Sequence, residues 1–330
     1  MSATEAPPHT QPALTEPIRI GDVEIANRVL LAPLAGIGNW FVRLQARRHG
    51  AGMAFSEMVS SHAIHYRNER TLTELLTIHP DEHPVALQLF GSDPAIMREA
   101  AAEAAAAGAD IIDLNMGCPV RKVRKTGAGV ELLADPDLAV AVARAAVAGC
   151  ERPVTVKLRS GLIAGDSSGV DLAVRLAEEA GVAAIAFHPR PATIGHKGSP
   201  DYDLVRALTE RVEVPVIVSG GLSSAALARA AYAASGADAV MIARGSFGNP
   251  WIFAELVGEQ PSGPPHEEVR AELLWVIDRA EEHFGAERAA RYLRKFYPWY
   301  LPRLGVSAGD AQGLDRAVDL TLVRERIASL

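Results

Sequence analysis

Cysteine is almost absent from this chain: Cys118 and Cys150 are the only two in 330 residues. They show no paired spacing and belong to no metal-type cluster, which argues against a disulfide framework and for a reducing compartment. Aromatic residues are scarce, at 5 %. No apolar run approaches the ~20 residues that cross a bilayer, so no membrane partner is expected. Residues 1–16 lack the basic start and apolar centre of a targeting signal. Polar and proline-rich, they predict a disordered tail on a cytoplasmic protein, with a monomer as the expected state. A positive balance is missing too, since the formal charge is −7. That weighs against nucleic acid only if the cations are spread evenly. They are not: Arg121, Lys122, Arg124 and Lys125 crowd one segment, and Arg288, Arg291, Arg294, Lys295 and Arg303 another near the C-terminus.

What is present is a repeated theme. Alternation around Gly21-Asp22 predicts a small β-hairpin over Ile18–Ile25. Apolar runs then follow at Val29–Leu34, Met53–Phe55, Val85–Leu89, Ile111–Leu114, Val154–Leu158, Ala184–Phe187, Val216–Val218 and Ala239–Ile242. Amphipathic helical stretches fall between them, and Gly50, Gly108, Gly149, Gly181 and Gly236 stand where left-handed helix caps belong. Strands alternating with helices imply parallel pairing. A closed β/α barrel and an open doubly wound sheet both satisfy this. Eight runs within about 250 residues favour the barrel, and no Gly-x-Gly-x-x-Gly turn follows the first strand, as a dinucleotide fold would require. A Pro/Gly-rich break at Gly258–Pro265 precedes helical spacing over Glu267–Phe284, Glu287–Leu304 and Ala311–Ala328. The predicted fold is α/β: a (β/α)8 TIM barrel over 17–257 and a C-terminal all-helical domain over 266–330.

In such a barrel, the residues leaving the strand ends share one mouth. Here they are Pro33-Leu34-Ala35, Glu57, Gln88, Asn115 with Cys118, Lys157 with Arg159, His188 with Arg190, Ser219-Gly220-Gly221 and Ala243-Arg244-Gly245. Small residues after the last two strands predict a phosphate cradle of backbone amides, with Arg244 adding a charge-assisted contact. A phosphate there, with Gln88 and Lys157 across the mouth, suits flavin mononucleotide: Gln88 on the pyrimidine edge of the ring, Lys157 at its N1–C2=O edge. Cys118, between Gly117 and Pro119, then faces the ring. Taken alone, that stretch also reads as an ordinary turn holding a buried, inert thiol.

Several stretches resemble the tRNA-dihydrouridine synthase family, in family order across about residues 18–255. They are Leu31-Ala-Pro-Leu-Ala-Gly36, Phe55-Ser-Glu-Met-Val-Ser60, Leu87-Gln-Leu-Phe-Gly91, Asp113-Leu-Asn-Met-Gly-Cys-Pro119, Val156-Lys-Leu-Arg-Ser-Gly161 and the run from Val240 to Phe253. In the tail, Arg294-Lys-Phe-Tyr-Pro-Trp-Tyr-Leu301 is similar to the family's RNA-binding segment. The resemblance implies FMN as cofactor, NADPH or NADH as reductant, tRNA as partner, and reduction of the uridine 5,6 double bond. It implies Cys118 as catalytic acid, and Pro33, Leu34, Ala35, Gln88, Lys157, His188, Ser219, Gly220, Gly221, Ala243 and Arg244 around the flavin. Asn115 and Arg159 would face the uracil, with Arg121, Lys122, Arg124, Lys125, Arg291, Arg294 and Lys295 on RNA phosphates. Trp299 and Tyr300 either stack on bases or lie buried between helices. Two departures stand out: His188-Pro-Arg-Pro191 replaces the usual His-Gly-Arg-Thr, leaving the role of Arg190 open, and Ser219-Gly-Gly221 replaces Asn-Gly-Asp. Two other readings remain open: another FMN barrel of the dihydroorotate dehydrogenase type, and a non-catalytic RNA-binding protein.

Overall fold

The computed structural model describes residues 11–258, 263–307, 313–314 and 319–330. Among these, parallel strands β1 (Val29–Leu31), β2 (Met53–Phe55), β3 (Val85–Phe90), β4 (Ile111–Met116), β5 (Val154–Arg159), β6 (Ala184–His188), β7 (Val216–Ser219) and β8 (Ala239–Ile242) pair in sequence order. The pairing of β8 with β1, Val240 opposite Val29 and Ile242 opposite Leu31, closes the ring. A short strand, Val59–Ser60, adds to the end of β3. Strands buried on both faces need apolar residues without alternation, which is why Val216–Ser219 and Ala239–Ile242 are wholly buried. The first run was expected to reach Leu34 but ends as a strand at Leu31, because Pro33 has no amide to give the ladder.

Helices α1 (Trp40–Arg48), α2 (Pro94–Ala106), α3 (Pro136–Val147), α4 (Ser168–Ala180), α5 (Tyr202–Thr209), α6 (Ala225–Ser235) and α7 (Trp251–Val257) wrap the ring. Between β2 and β3 lie only short helical segments, Ser61–His65, the π-helical turn Thr71–Leu75 and the 3-10 turn Pro80–Glu82, besides the short strand Val59–Ser60. Asp93 accepts from the Ala95 and Ile96 amides of α2 and Asp135 from the Leu138 amide of α3, each just ahead of a proline. Gly181 and Gly236 end α4 and α6 in the left-handed conformation. Gly149 does not adopt it; a Cβ there would lie 2.4 Å from the Arg98 carbonyl oxygen, so close helix packing is what requires glycine.

The barrel interior is apolar at its lower end. Leu30, Met53, Phe55, Ile111, Ala184, Ile217 and Met241 form one buried cluster with Ile18, Ile20 and Ile25 of the N-terminal hairpin, which caps this end. The expected tail departs from disorder at residues 11–16: Leu14 is buried, Gln11 Nε2 donates to the Tyr232 and Ala237 carbonyls, and Tyr232 OH donates to the Pro12 carbonyl. Residues 1–10 lie outside the described residues.

The C-terminal segment forms α8 (His266–Phe284), α9 (Ala286–Leu293) and α10 (Leu320–Ala328). The single helix expected over Glu287–Leu304 breaks after Leu293 into the short turns Tyr297–Tyr300 and Leu301–Leu304, where Pro298 and Pro302 interrupt hydrogen bonding. Of the third expected helix, 311–312 and 315–318 lie outside the described residues. Tyr292, Phe296 and Tyr300 share a core with Phe41 of α1 and Phe253 of α7. Trp299 stacks on Phe247 with ring centroids 4.2 Å apart, and Tyr300 is buried and accepts from Gln45. Both aromatics therefore join helices to barrel.

Arg43 of α1 is 1 % exposed and Glu82 is fully buried; they form a two-pronged pair at 2.7 and 2.8 Å. Arg43 also donates to the carbonyls of Gly38 and Thr77, tying α1 to the turn after β1. Removing one partner strands a buried charge, so Glu82→Ala is expected to lower unfolding free energy by about 3–5 kcal/mol, read from urea denaturation.

Candidate active site

Above the apolar layer, the inward positions of β3 to β6 turn polar. Register places Gln88 beside Asp113, Asp113 beside Thr155, Asn115 beside Lys157 and Arg159 beside His188. Gln88 and Asp113 are fully buried. Gln88 Nε2 donates to Asp113 Oδ2 at 2.6 Å, and Thr155 Oγ1 to Asp113 Oδ1 at 2.6 Å. Asn115 Nδ2 donates to Gln88 Oε1 at 2.9 Å, while Asn115 Oδ1 accepts from the amides of Gly117 and Cys118 at 3.2 and 2.9 Å. Arg159 braces the loop that carries Cys118, donating from Nε to the Gly117 carbonyl and from Nη1 to the Gly195 carbonyl.

These groups open into a cavity of about 730 Å³, lined by residues from the ends of the barrel strands and the loops that follow them. Lys157, Arg159, Arg190 and Arg244 line it with His188 and His196, and no carboxylate does among the described residues. Burial, aided by the positive charge of Arg159 and opposed by Asp113, pushes the Lys157 ammonium down to about 8. Burial and Arg190 bring Arg159 down to about 10. Burial first, then Lys157, Arg159 and Arg190, hold His188 far below the usual histidine range, so it is neutral. Burial pushes Asp113 up to about 6 against hydrogen bonds from Thr155 and Gln88. Burial also raises the Cys118 thiol, against the Val120 amide and Arg159, so its proton is retained at neutral pH.

The turns after β7 and β8 come close to their neighbours. Gly220 has φ +97° and a Cβ there would fall 2.3 Å from His188 Cδ2. Arg190, only 6 % exposed, lies 3.3 Å from His188 Nε2 and donates to the Gly198 carbonyl, yet its Nε has no hydrogen-bond partner. A buried guanidinium nitrogen without a partner has a donor to offer to an acceptor beside the glycine turn.

The strand-end expectations meet here, with exceptions. Pro33, Ala35, Gln88, Asn115, Cys118, Lys157, Arg159, His188, Ser219, Gly220, Gly221, Ala243 and Arg244 line the cavity, and Arg190 joins them. Leu34 does not; it is buried in the outer core with Ile37 and Val42, because the chain turns after Pro33. Asn115, expected to face a ligand, has its carbonyl and amide committed to the Cys118 loop and Gln88. Glu57 lies outside the cavity and accepts from the Gly36 amide.

Of the cations, Arg121, Lys122, Arg124 and Lys125 are exposed just beyond Val120 at the cavity edge, Arg124 paired with Glu131. Arg291 pairs with Glu287, Lys295 Nζ donates to the Gly36 carbonyl after β1, and Arg294 is exposed. One cluster thus follows the C-terminal end of β4 and the other meets the turn after β1, on different sides of the opening. Asp113, Thr155, Met58, His196 and Tyr202, whose hydroxyl donates to the Gly220 carbonyl, were not foreseen. For Asp113 there was a signal: an acid at an inward position of an apolar strand needs partners.

Comparison with known proteins decides the family. The family model described as "Dihydrouridine synthase (Dus)" matches residues 30–312. The chain belongs to the dihydrouridine synthase family. It is 37 % identical over 292 residues to tRNA-dihydrouridine synthase B of Pseudomonas aeruginosa, covering 87 % of each chain. It is 36 % identical over 290 residues to tRNA-dihydrouridine synthase B of Vibrio vulnificus, covering 86 % of this chain and 89 % of that one. Among solved structures, the old yellow enzyme homologue NCR of Zymomonas mobilis aligns with a TM-score of 0.55 at 17 % identity, covering 76 % of this chain and 94 % of that one. Morphinone reductase aligns with a TM-score of 0.53 at 19 % identity, covering 78 % and 93 %. At such identities the likeness is one of fold, a TIM barrel. Membership of the dihydrouridine synthase family makes this chain an oxidoreductase.

In this family member, Gly220→Ala would need a left-handed alanine and a displaced His188. It is expected to cost about 1–3 kcal/mol in thermal or urea unfolding.

Proposed function

We propose that this chain reduces the 5,6 double bond of a uridine in tRNA, with FMN held in the cavity and NADPH as reductant. The observation that carries this reading is a half-buried thiol sharing one cavity with Lys157, Arg159, Arg190, Arg244 and two glycine-bearing turns. The residues fit the cofactor: Arg190 has an orphaned nitrogen, and the turns at Gly220 and Gly245 leave no room for a side chain. Ser219, Gly220, Gly221, Ala243 and Arg244 would hold the phosphate, Gln88 and Lys157 the ring, and Pro33, Ala35 and neutral His188 its surroundings. When bound and reduced at the expense of NADPH, FMN would supply hydride chemistry at uracil C6.

Everything else falls to the chain's own side chains. Cys118 holds the proton for C5; its raised pKa keeps the thiol protonated until a carbon base develops beside it. Lys157 and Arg159 stabilise negative charge forming on the uracil carbonyl oxygen. The target base must leave the RNA stack to reach the cavity. Arg121, Lys122 and Lys125 on one side, with Arg291, Arg294 and Lys295 on the other, grip the flanking phosphates, which reconciles a chain of charge −7 with RNA.

Cys118→Ala should retain FMN and NADPH oxidation but lose dihydrouridine formation by about a hundredfold or more, quantified by nucleoside mass spectrometry. An unchanged yield removes Cys118 from the reaction. The charge on Lys157 is present below about 8 and lost above it. The affinity of flavin-free protein for FMN should therefore fall as pH rises through that value, and Lys157→Met should flatten this limb in a fluorescence titration.

A further inference from the structure

The hydrogen bonds beneath the cavity run in one direction. Asp113, when ionised, can only accept; the backbone amides of Gly117 and Cys118 can only donate. Between these fixed ends stand two side-chain amides, Gln88 and Asn115, each of which has one accepting and one donating end. With Asp113 accepting from Gln88 Nε2, Gln88 must turn Oε1 to Asn115 Nδ2, and Asn115 must turn Oδ1 to Cys118. Were Gln88 reversed, Asn115 would be driven to present Nδ2 to the Cys118 amide, donor against donor. Thr155 Oγ1 donates to the other carboxylate oxygen and holds it in place.

We propose that Asp113 is the positioning residue of this site: its carboxylate fixes the sense of the Gln88–Asn115 chain and thereby holds the peptide that carries the Cys118 thiol. Asp113 touches neither substrate nor cofactor in this account and acts through the two amides. The inference deepens the proposed function, because it concerns the group given there as proton donor. Its test needs neither flavin nor RNA, however, so it can fail while that reading stands.

Asp113→Asn removes the obligatory acceptor, since the new amide can face Gln88 with either end. The double variant D113N/Q88E restores a fixed sense with the two groups exchanged. The amide now at position 113 donates to one oxygen of the carboxylate now at position 88. The other oxygen of that carboxylate still accepts from Asn115, and the Cys118 loop keeps its acceptor.

The experiment is iodoacetamide labelling of the flavin-free protein, with Cys118 and Cys150 followed separately by peptide mass spectrometry. Cys150, half-buried and distant in sequence, reports general loosening. D113N is expected to raise the Cys118 rate relative to Cys150 about fivefold, as loss of one buried hydrogen bond allows. D113N/Q88E is expected to return it to within about twofold of the parent. A Cys118 rate unmoved by D113N, or raised equally at Cys150, overturns the proposal, as does failure of the double variant to restore it. If D113N does not fold, Gln88→Leu, which cuts the link from Asp113 to Asn115, serves instead. It is expected to raise the Cys118 rate selectively, and an unmoved rate again overturns the proposal.

Discussion

The structure depends on an imbalance of charge inside one cavity. Lys157, Arg159, Arg190 and Arg244 line it, and no carboxylate does among the described residues. Like charges gathered in a poorly solvated space repel strongly. Burial first, and then these neighbouring charges, displace Lys157 and Arg159 downward and keep a histidine neutral among them. Such an arrangement is tolerable when an anion completes it. Asp113 lies one layer below and offsets only part of the excess; burial leaves it near 6 instead of with exposed carboxylates. A chain negative overall thus keeps a positive interior pocket, and that contrast is the feature from which the rest of the site follows.

Much of the fold was legible in the sequence because strand and helix periods are local. Eight apolar runs separated by amphipathic stretches left few topologies, and the strand-end residues converged as a closed ring demands. What was not legible depends on pairing across the ring. Gln88, Asp113 and Thr155 become neighbours only through register between strands 25 and 42 residues apart in sequence. Asn115 lines the cavity as expected of a strand-end residue, but its partners Gln88 and the Cys118 amide are supplied by that register and by a tight turn. Leu34 was misplaced for a local reason. After Pro33 the chain leaves the strand, so inward and outward positions no longer alternate. The break of the tail helix was written in Pro298 and Pro302, whereas the packing of partly buried Trp299 and the burial of Tyr300 depended on which barrel surface faced them.

The helical tail is continuous with the barrel core, and its contacts fall on loops that shape the cavity. Tyr292 OH donates to the Ile37 carbonyl and Lys295 to that of Gly36, both in the turn after β1. Trp299 lies against Phe247 and Gly248, just past the turn after β8.

That placement bears on how the molecule can be divided. A chain cut after α7 would strip Phe41 and Phe253 of their aromatic neighbours and release both turns from the side chains that hold them. The barrel and the helical segment after it are therefore joined by packing as well as by the chain. Two of the turns at the barrel mouth are held by the very segment that would be removed.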